Sequence, residues 1–425
     1  MEISQLYQLY LQYPLIKTDT RKIQTGDIFF ALKGPQYNGN NFAKEALSAG
    51  ASYVVIDEEI DALSDRLIKT PDVLLTLQQL AKHHREQFNI PFIAITGSNG
   101  KTTTKELIHA VLSSAFKTYT TEGNLNNHIG IPLTLLKIKN DAEMVVIEMG
   151  ANNLKEIEDY CKYVQPDHGL ITNFGKAHLQ GFGSIEGVKK AKGELFDYLK
   201  ETCGTAFVNA DDKDMVNMSK RIKNIITYGT VNGTVKGRVL NSASFLQVSI
   251  TGDVIIDNLK TQLVGEYNLP NVLAAVTVGK YFSIPDEKIK IALENYTPSN
   301  SRSQLIRQGS NTIILDAYNA NPSSMKAAIE NFAKMEGETK ILMLGGMMEL
   351  GKDSKVEHAN ILKIIDEHKW HKVILVGDDF RDLKHNYIMI NNSSELKEWF
   401  TNQTFENTLI LIKGSRSIQM EKILE

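Results

Sequence analysis

Phe92-Ile-Ala-Ile-Thr-Gly-Ser-Asn-Gly-Lys-Thr-Thr-Thr104 decides how this chain is read. An apolar run of strand length stops at a glycine. Gly100 and Lys101 follow, then three threonines, then Lys105-Glu-Leu-Ile-His-Ala-Val-Leu112, which has helical spacing. A strand that turns tightly into a helix N-terminus aims backbone N–H groups and the positive end of the helix dipole at one spot. Gly97 and Gly100 allow the backbone to approach a phosphate. Lys101 reaches the terminal phosphates, and the Thr102 hydroxyl suits Mg²⁺. The general motif carries a glycine where Ile95 stands, so the loop here is the tighter Thr96-Gly-Ser-Asn-Gly-Lys-Thr102. The expected ligand is ATP.

Working outward, 425 residues provide for two to four domains. A hydrophobic content of 42% with 23% charged residues is that of a soluble globular protein. A formal net charge of −3 gives no basic excess for nucleic acid or a membrane surface. Cys161 and Cys203 supply neither a disulfide framework nor zinc spacing, so a reducing cytoplasm is expected. Residues 1–10 lack the basic start and apolar core of a signal peptide. No stretch approaches the roughly 18 apolar residues of a membrane helix.

Three segments separate by pattern. Residues up to about 88 hold strand-like runs at 27–32 and 53–56 around a helical stretch at 42–49, then a helix over 74–87. From 89 to about 300, strands at 92–96, 144–148 and 169–173 alternate with helices after Lys101 and near 154–163. A β-rich insertion follows near 231–263, and a helix starts near Pro270. From 301 on, apolar runs at 312–315, 340–344, 373–376 and 409–412 alternate with helical stretches. Such alternation predicts an α/β fold with parallel sheets covered on both faces. The linker is expected at 298–303.

Ligands of open parallel sheets sit beyond the carboxyl ends of the strands. Glu148 ends one strand and His178 follows another, so parallel pairing would set both on the rim that holds Lys101. An acid and an imidazole beside a triphosphate suit a divalent cation. In 185–199, Ile185, Val188, Ala191, Leu195, Phe196 and Leu199 make one apolar stripe with Lys192 in its middle, while Lys190, Glu194 and Asp197 are expected to face away. A lysine there snorkels, pairs or loses its charge; as a neutral amine it can take up CO₂ to become an anionic carbamate. Asn268 and Asn271 either cap the helix at Pro270 or present amides to an adenine edge. Asp316 can accept from a ribose hydroxyl, and Tyr318, Asn319 and Asn321 either hold a small polar ligand or form an Asn-Pro turn. Arg302 can swing onto phosphates from the linker, and Arg416 can hold a carboxylate.

Together these residues resemble the Mur ligase family, the ATP-dependent amide-forming enzymes of bacterial peptidoglycan synthesis, over essentially the whole chain. Thr18-Asp-Thr-Arg-Lys22 and Gly26-Asp-Ile-Phe-Phe-Ala-Leu-Lys-Gly34 resemble the domain that binds uridine diphosphate. Glu122-Gly-Asn-Leu-Asn-Asn-His-Ile-Gly-Ile-Pro132 resembles the loop that meets the nucleotide-sugar substrate. Asp316-Ala-Tyr-Asn-Ala-Asn-Pro322 and Gly345-Gly-Met-Met-Glu-Leu-Gly351 resemble the branch that adds D-alanyl-D-alanine. Tyr267 stands where many members carry histidine.

The resemblance implies three domains: a small α/β domain over 1–88 for the UDP substrate, a central P-loop ATPase domain with a parallel sheet over 89–300, and a C-terminal Rossmann-like domain over 301–425 for D-alanyl-D-alanine. It implies that Gly97, Ser98, Asn99, Gly100, Lys101, Thr102 and Thr103 bind ATP with Asn268, Asn271, Arg302 and Asp316. It implies two Mg²⁺ ions on Thr102, Glu148, His178 and a carbamylated Lys192, with Lys101, Lys192, His178 and Glu148 as the catalytic set. The substrates, UDP-N-acetylmuramoyl tripeptide and D-alanyl-D-alanine, would meet Thr20, Arg21, Asn124, Asn126, Asn127, Tyr318, Asn319, Asn321 and Arg416. A cytoplasmic monomer without a membrane span or nucleic-acid partner is expected. A GTPase switch is disfavoured, because no guanine-reading Asn-Lys-x-Asp occurs. A ligase adding one amino acid, or a folylpolyglutamate-synthase-like enzyme, is disfavoured by the 316–322 motif and the UDP-type first segment.

Overall fold

In the computed structural model the described residues are 1–60, 64–299 and 301–425. Asn300, inside the expected linker, therefore lies outside them. The chain forms two compact units. One comprises Met1–Ala94, Lys117–Gly150 and Glu156–His168; the other comprises Ile95–Phe116, Ala151–Lys155 and Gly169–Glu425.

The first unit contains a parallel sheet of Ile16–Lys17, Ile28–Phe30, Tyr53–Ile56 and Leu67–Lys69, in that order across the sheet. Phe29, Ala31, Val54 and Ile56 bury one face against Ala43 and Ala46 of the helix Ala43–Ser48. The helix Val73–Arg85 starts where the Asp72 carboxylate accepts from the N–H of Leu75. Its buried stripe, Leu77, Leu80 and Ala81, packs it against Gly130–Leu135 and Glu156–Val164. Arg85 is buried, yet its guanidinium donates to the carbonyls of Val164, Phe88 and Gln165, each at 2.9 Å. It thus caps the negative end of Glu156–Val164. The strand Met144–Glu148 pairs in parallel with Thr118–Thr120.

His84 sits in this core. Its Nε2 donates to the Ile138 carbonyl at 2.9 Å, and its Nδ1 accepts from the Tyr7 hydroxyl at 3.0 Å. Both nitrogens are satisfied only in the neutral ring. Burial lowers its pKa, partly opposed by the Ile138 carbonyl, with His83 adding to the depression. The folded pKa therefore lies below the unfolded value of about 6.5. Acid protonates the unfolded chain first, so this stability is whole above that value and is lost as pH falls toward the folded pKa. The midpoint of thermal unfolding is expected to drop between about pH 7.5 and about pH 5, with a shallower drop in His84→Gln, whose amide donates and accepts without titrating. Equal slopes in the two proteins would refute this assignment. His168, also lowered by burial, contributes the same sign.

In the second unit the helix Lys101–Ser113 packs on Leu269–Tyr281. The latter buries residues on every side, among them Val272, Leu273, Ala275, Val276 and Val278, as a helix inside a core must. Thr205–Asn209 pairs in parallel with Asn224–Gly229, which continues in parallel to Val235–Asn241. Antiparallel Gln247–Gly252 and Ile256–Lys260 complete the expected β-rich insertion. A further sheet runs in the order Gln304–Gln308, Asn311–Asp316, Thr408–Lys413, Thr339–Gly345, Lys372–Val376, Ile388–Ile390. Its four expected apolar runs are parallel strands. The two outer strands were not foreseen. Gln304–Gln308 is polar at both ends and joins Asn311–Asp316 antiparallel through a turn at Gly309 (φ 60°). Ile388–Ile390 is three residues long, too short to carry an alternation.

Candidate functional site

The loop expected to hold phosphate is shaped by its glycines. Gly97 has φ 140° and Gly100 has φ 77°, conformations that disfavour a side chain. The next four positions open the helix, whose first N–H groups have no intrahelical acceptor. The loop is held from behind: Asn173 accepts from the N–H of Ser98 and Asn99, and the Thr172 hydroxyl donates to the Asn99 carbonyl at 2.6 Å. Lys101 Nζ donates to the carbonyls of Gly97 (2.8 Å) and Ser98 (3.1 Å), so its ammonium lies over the loop that Thr102 and Thr103 close.

Asn268 and Asn271 stand behind the same loop. Neither side chain caps its helix. Asn268 Nδ2 donates to the Val264 carbonyl and Asn271 Nδ2 to Asn268 Oδ1. Asn271 Oδ1 accepts from Thr104 and fills the place where a Cβ on Gly100 would lie, 2.8 Å away. The capping alternative is therefore corrected: the pair braces the glycine turn.

His178 lies in the second unit with Lys101. Its Nδ1 is 2.5 Å from Glu349 Oε2. The His178 contact holds the Glu349 carboxyl below its usual range against burial, and the Lys101 charge adds to the effect. Asn321 Nδ2 donates to Asn99 Oδ1 at 2.7 Å, and the Lys176 ammonium meets Glu357 at 2.6 Å. Asn321 is also the N-cap of Pro322–Lys334, with Ser324 completing a capping box, so the turn reading holds for it as well.

Lys192 is 1% exposed on the helix Ile185–Glu201. Nζ donates to the Ala151 carbonyl at 3.2 Å and lies 5.2 Å from the Phe182 ring centroid. The apolar stripe is buried as expected, except that Ile185 at the helix start is half-buried. Glu194 departs from expectation. It is buried, because its carboxylate accepts from the N–H of Lys155 at 2.7 Å. A partner from another segment overrode the helical register.

Arg302 stacks on Tyr318, 3.5 Å from its ring centroid, and Arg416 lies 5.9 Å from the same ring. Arg416, read as a carboxylate clamp, pairs with Glu421 at 2.6 Å. Asp316 is held by the buried Lys413 at 2.5 Å and by the N–H of Ser303. The Tyr267 hydroxyl joins this chain through Ser303 Oγ at 3.0 Å. The Asn319 carboxamide turns back on the N–H of Ala320.

In the first unit, Glu148 is 1% exposed. Its Oε1 accepts from Asn126 at 2.7 Å, and its N–H donates to Thr121. Asn127 caps the turn into Gly130–Leu135, and Asn124 is exposed. Thr20 and Arg21 lie on one helical turn. There Arg21 grips Asp19 through two bonds of 2.8 Å and brings that carboxyl down to about 2.

Three family models cover the chain in turn: Mur ligase family, catalytic domain, on residues 12–85; Mur ligase middle domain on 95–279; and Mur ligase, glutamate ligase domain, on 301–416. A relative from Bacillus subtilis (strain 168), UDP-N-acetylmuramoyl-tripeptide--D-alanyl-D-alanine ligase, is 34% identical over 423 residues, 96% of this chain and 92% of its own. The chain belongs to the Mur ligase family. The relative of the same description from Escherichia coli (strain K12) is 34% identical, with 96% and 92% covered. Among solved structures, MurF from Acinetobacter baumannii superposes with a TM-score of 0.90 at 30% identity over 99% of this chain and 97% of that one. MurF ligase from Thermotoga maritima in complex with ADP gives 0.88 at 25%, with 97% of each covered. The three-domain α/β expectation is thus met.

Among the described residues there is no group of three or more His, Cys, Asp or Glu placed to hold a metal ion. Among the described residues no helix is long and apolar enough to cross a membrane. The sequence motif at 345–351 contains Glu349 without a role for it, and Lys413, just beyond the apolar run at 409–412, was given none. Glu349 follows the strand Thr339–Gly345 and Lys413 ends Thr408–Lys413, and a strand-end position was the available signal.

Proposed function

We propose that this Mur ligase joins D-alanyl-D-alanine to the terminal carboxylate of a UDP-N-acetylmuramoyl tripeptide, with conversion of ATP to ADP and phosphate, in peptidoglycan precursor synthesis in the cytoplasm. The observation that carries the reading is the glycine-shaped loop at 97–100, buttressed by Asn271 and Asn321, in a chain 34% identical to its relatives nearly end to end. We assign 1–88 to the UDP substrate, 89–300 to ATP and 301–425 to the dipeptide. The working unit is a monomer.

A carboxylate oxygen of the tripeptide attacks the terminal phosphorus of ATP, and the bond to ADP breaks. Such transfer depends on positioning and charge neutralisation. Lys101 neutralises charge between the two approaching anions. Gly100 and Thr103 offer backbone N–H groups to phosphate, while Ser98 and Asn99, whose own N–H groups are held by Asn173, line the loop. Asn268 and Asn271 take the adenine side, Arg302 the phosphates and Asp316 the ribose. Thr102, Glu148, His178 and Lys192 are the residues that would hold Mg²⁺, which supplies Lewis-acid charge stabilisation when bound. The neutral Lys192 amine adds to CO₂, losing a proton, to become a carbamate whose single negative charge is shared by two oxygens. The dipeptide amine, with a pKa near ~8, is partly neutral at pH 7. It attacks the acyl carbon, phosphate leaves, and the amine proton passes to solvent. Thr20, Arg21, Asn124, Asn126 and Asn127 contact the nucleotide sugar. Tyr318, Asn319, Asn321 and Arg416 contact the dipeptide.

Incubation with ATP, D-alanyl-D-alanine and the tripeptide nucleotide, in its diaminopimelate and lysine forms separately, is expected to release ADP and give one new amide detectable by mass. No ADP release beyond background with either form would overturn the reading. Equal product with a single D-alanine would favour a sibling activity.

A further inference from the structure

We propose that Glu194 is a positioning residue for Lys192: through the Lys155 N–H it holds the segment Ala151–Lys155 so that the Ala151 carbonyl fixes the direction in which a carbamate on Lys192 points. This rests on the reading of Lys192 as a carbamate. Carbamylation of the neutral amine joins Nζ to the carbon of CO₂ and releases one proton to solvent. The nitrogen then keeps a single N–H. Its bond to the carbamate carbon has the partial double-bond character of an amide, so that N–H and both oxygens share one plane. An acceptor for the one N–H therefore sets the plane of the whole group, and the Ala151 carbonyl, 3.2 Å from Nζ, is the acceptor in place.

That carbonyl belongs to a segment that needs holding. Residues 152–155 are exposed, so apolar burial does not anchor them. Lys155 has φ 74°, a region that a residue with a side chain enters only at a cost. The Glu194 carboxylate offsets it with a charge-assisted bond, accepting from the Lys155 N–H at 2.7 Å while Glu194 is itself 8% exposed. A helix turns about 100° per residue, so Lys192 and Glu194 leave the helix Ile185–Glu201 on opposite sides. Both side chains nonetheless end on this one segment, Lys192 at its first residue and Glu194 at its last. The short helix Leu179–Phe182 presses on the middle of it: a Cβ on Gly181 would lie 2.0 Å from the Asn152 carbonyl oxygen. Phe182, at the end of that helix, carries the ring beside Lys192 Nζ. The backbone that receives the Lys192 nitrogen is thus set by the same helix that carries the lysine.

The test compares the full chain with Glu194→Gln, Glu194→Met and Gly181→Ala, with thermal unfolding to establish which are folded. Isotope-labelled bicarbonate marks the carbamate carbon for NMR, and the bicarbonate concentration that gives half-maximal label is read for each protein. Glutamine keeps a carbonyl oxygen for the Lys155 N–H, so Glu194→Gln is expected to match the parent. Methionine has no such acceptor, and Glu194→Met is expected to need about tenfold more bicarbonate, the size of one lost hydrogen bond. Its ADP release in the ligation assay should rise in parallel as bicarbonate is added. Gly181→Ala displaces the segment without touching Glu194; it is expected to shift the same way, and it carries the test should Glu194→Met not fold. No labelled carbon in the parent would overturn both this proposal and the carbamate reading. A labelled parent with unchanged half-saturation in folded Glu194→Met, or in Gly181→Ala in its place, would overturn this proposal alone. A shift in Glu194→Gln as large as in Glu194→Met would mean that the charge acts and not the accepted bond, and would overturn it too.

Discussion

Lys192→Ala is expected to turn over about a thousandfold more slowly than the parent, or worse, while remaining folded. The helix Ile185–Glu201 carries Lys192 on the same side as Val188, Leu195 and Leu199, and the nitrogen ends beside the Ala151 carbonyl and the Phe182 ring. A long cationic side chain is not placed on an apolar stripe for packing, since leucine or methionine would fill that volume without desolvating a charge. If the amine becomes a carbamate that holds Mg²⁺, its removal takes charge stabilisation from the phosphoryl-transfer step, where mutational losses of about 10²–10³ per donor are usual. Lys192→Met keeps the volume without the nitrogen and is expected to be as inactive as the alanine variant. Acetate should restore part of the rate to Lys192→Ala, which has room for it, and none to Lys192→Met. Incorporation of isotope-labelled bicarbonate into the parent, lost in both variants, gives a readout besides rate. Parental turnover in either variant would end the carbamate assignment.

Gly97→Ala is expected to lose ATP binding by about a hundredfold or more and to destabilise the fold by about 1–3 kcal/mol. A Cβ at residue 97 would lie 2.0 Å from Thr172 Oγ1 and 2.9 Å from the Thr172 nitrogen. The first atom can rotate away, but only by giving up its bond to the Asn99 carbonyl. The second is backbone and cannot move without shifting the end of the strand His168–Ile171. At φ 140° the alanine is strained even with space cleared for it. The loop must therefore open, and the N–H groups aimed at a phosphate lose their common focus. Nucleotide binding by calorimetry, with thermal unfolding alongside, checks both parts; parental affinity in Gly97→Ala would refute the cradle reading. Gly123→Ala is the control. Its φ is 55°, but nothing lies within 4 Å of the added carbon, so only the modest strain of the left-handed region should appear.

Much of the fold was legible because it is written in local spacing. The strand Phe92–Thr96 announces itself by five apolar or β-branched residues ending at glycine, and the helix Ile185–Glu201 by a stripe at helical period. The outer strand Gln304–Gln308 was illegible for the converse reason: a half-buried edge strand needs no apolar run. Asn271 shows the same divide within the site. Spacing allowed a helix cap or a ligand contact, and only the approach of two helices revealed a brace for Gly100.

By itself the amino-acid order determined the strands and helices that carry a clear apolar run or period, where the glycines free the backbone, and that a lysine would be carried into an apolar face. Those are properties of residues a few positions apart, set by sterics and by the periods of helix and strand. Tertiary structure alone decided that Glu349 meets His178, that Asn321 reaches Asn99, and that Glu194 turns inward to Lys155. A buried or half-buried polar group takes whatever donor or acceptor the folded chain delivers beside it, and that delivery depends on how distant loops are brought together, which no local pattern encodes.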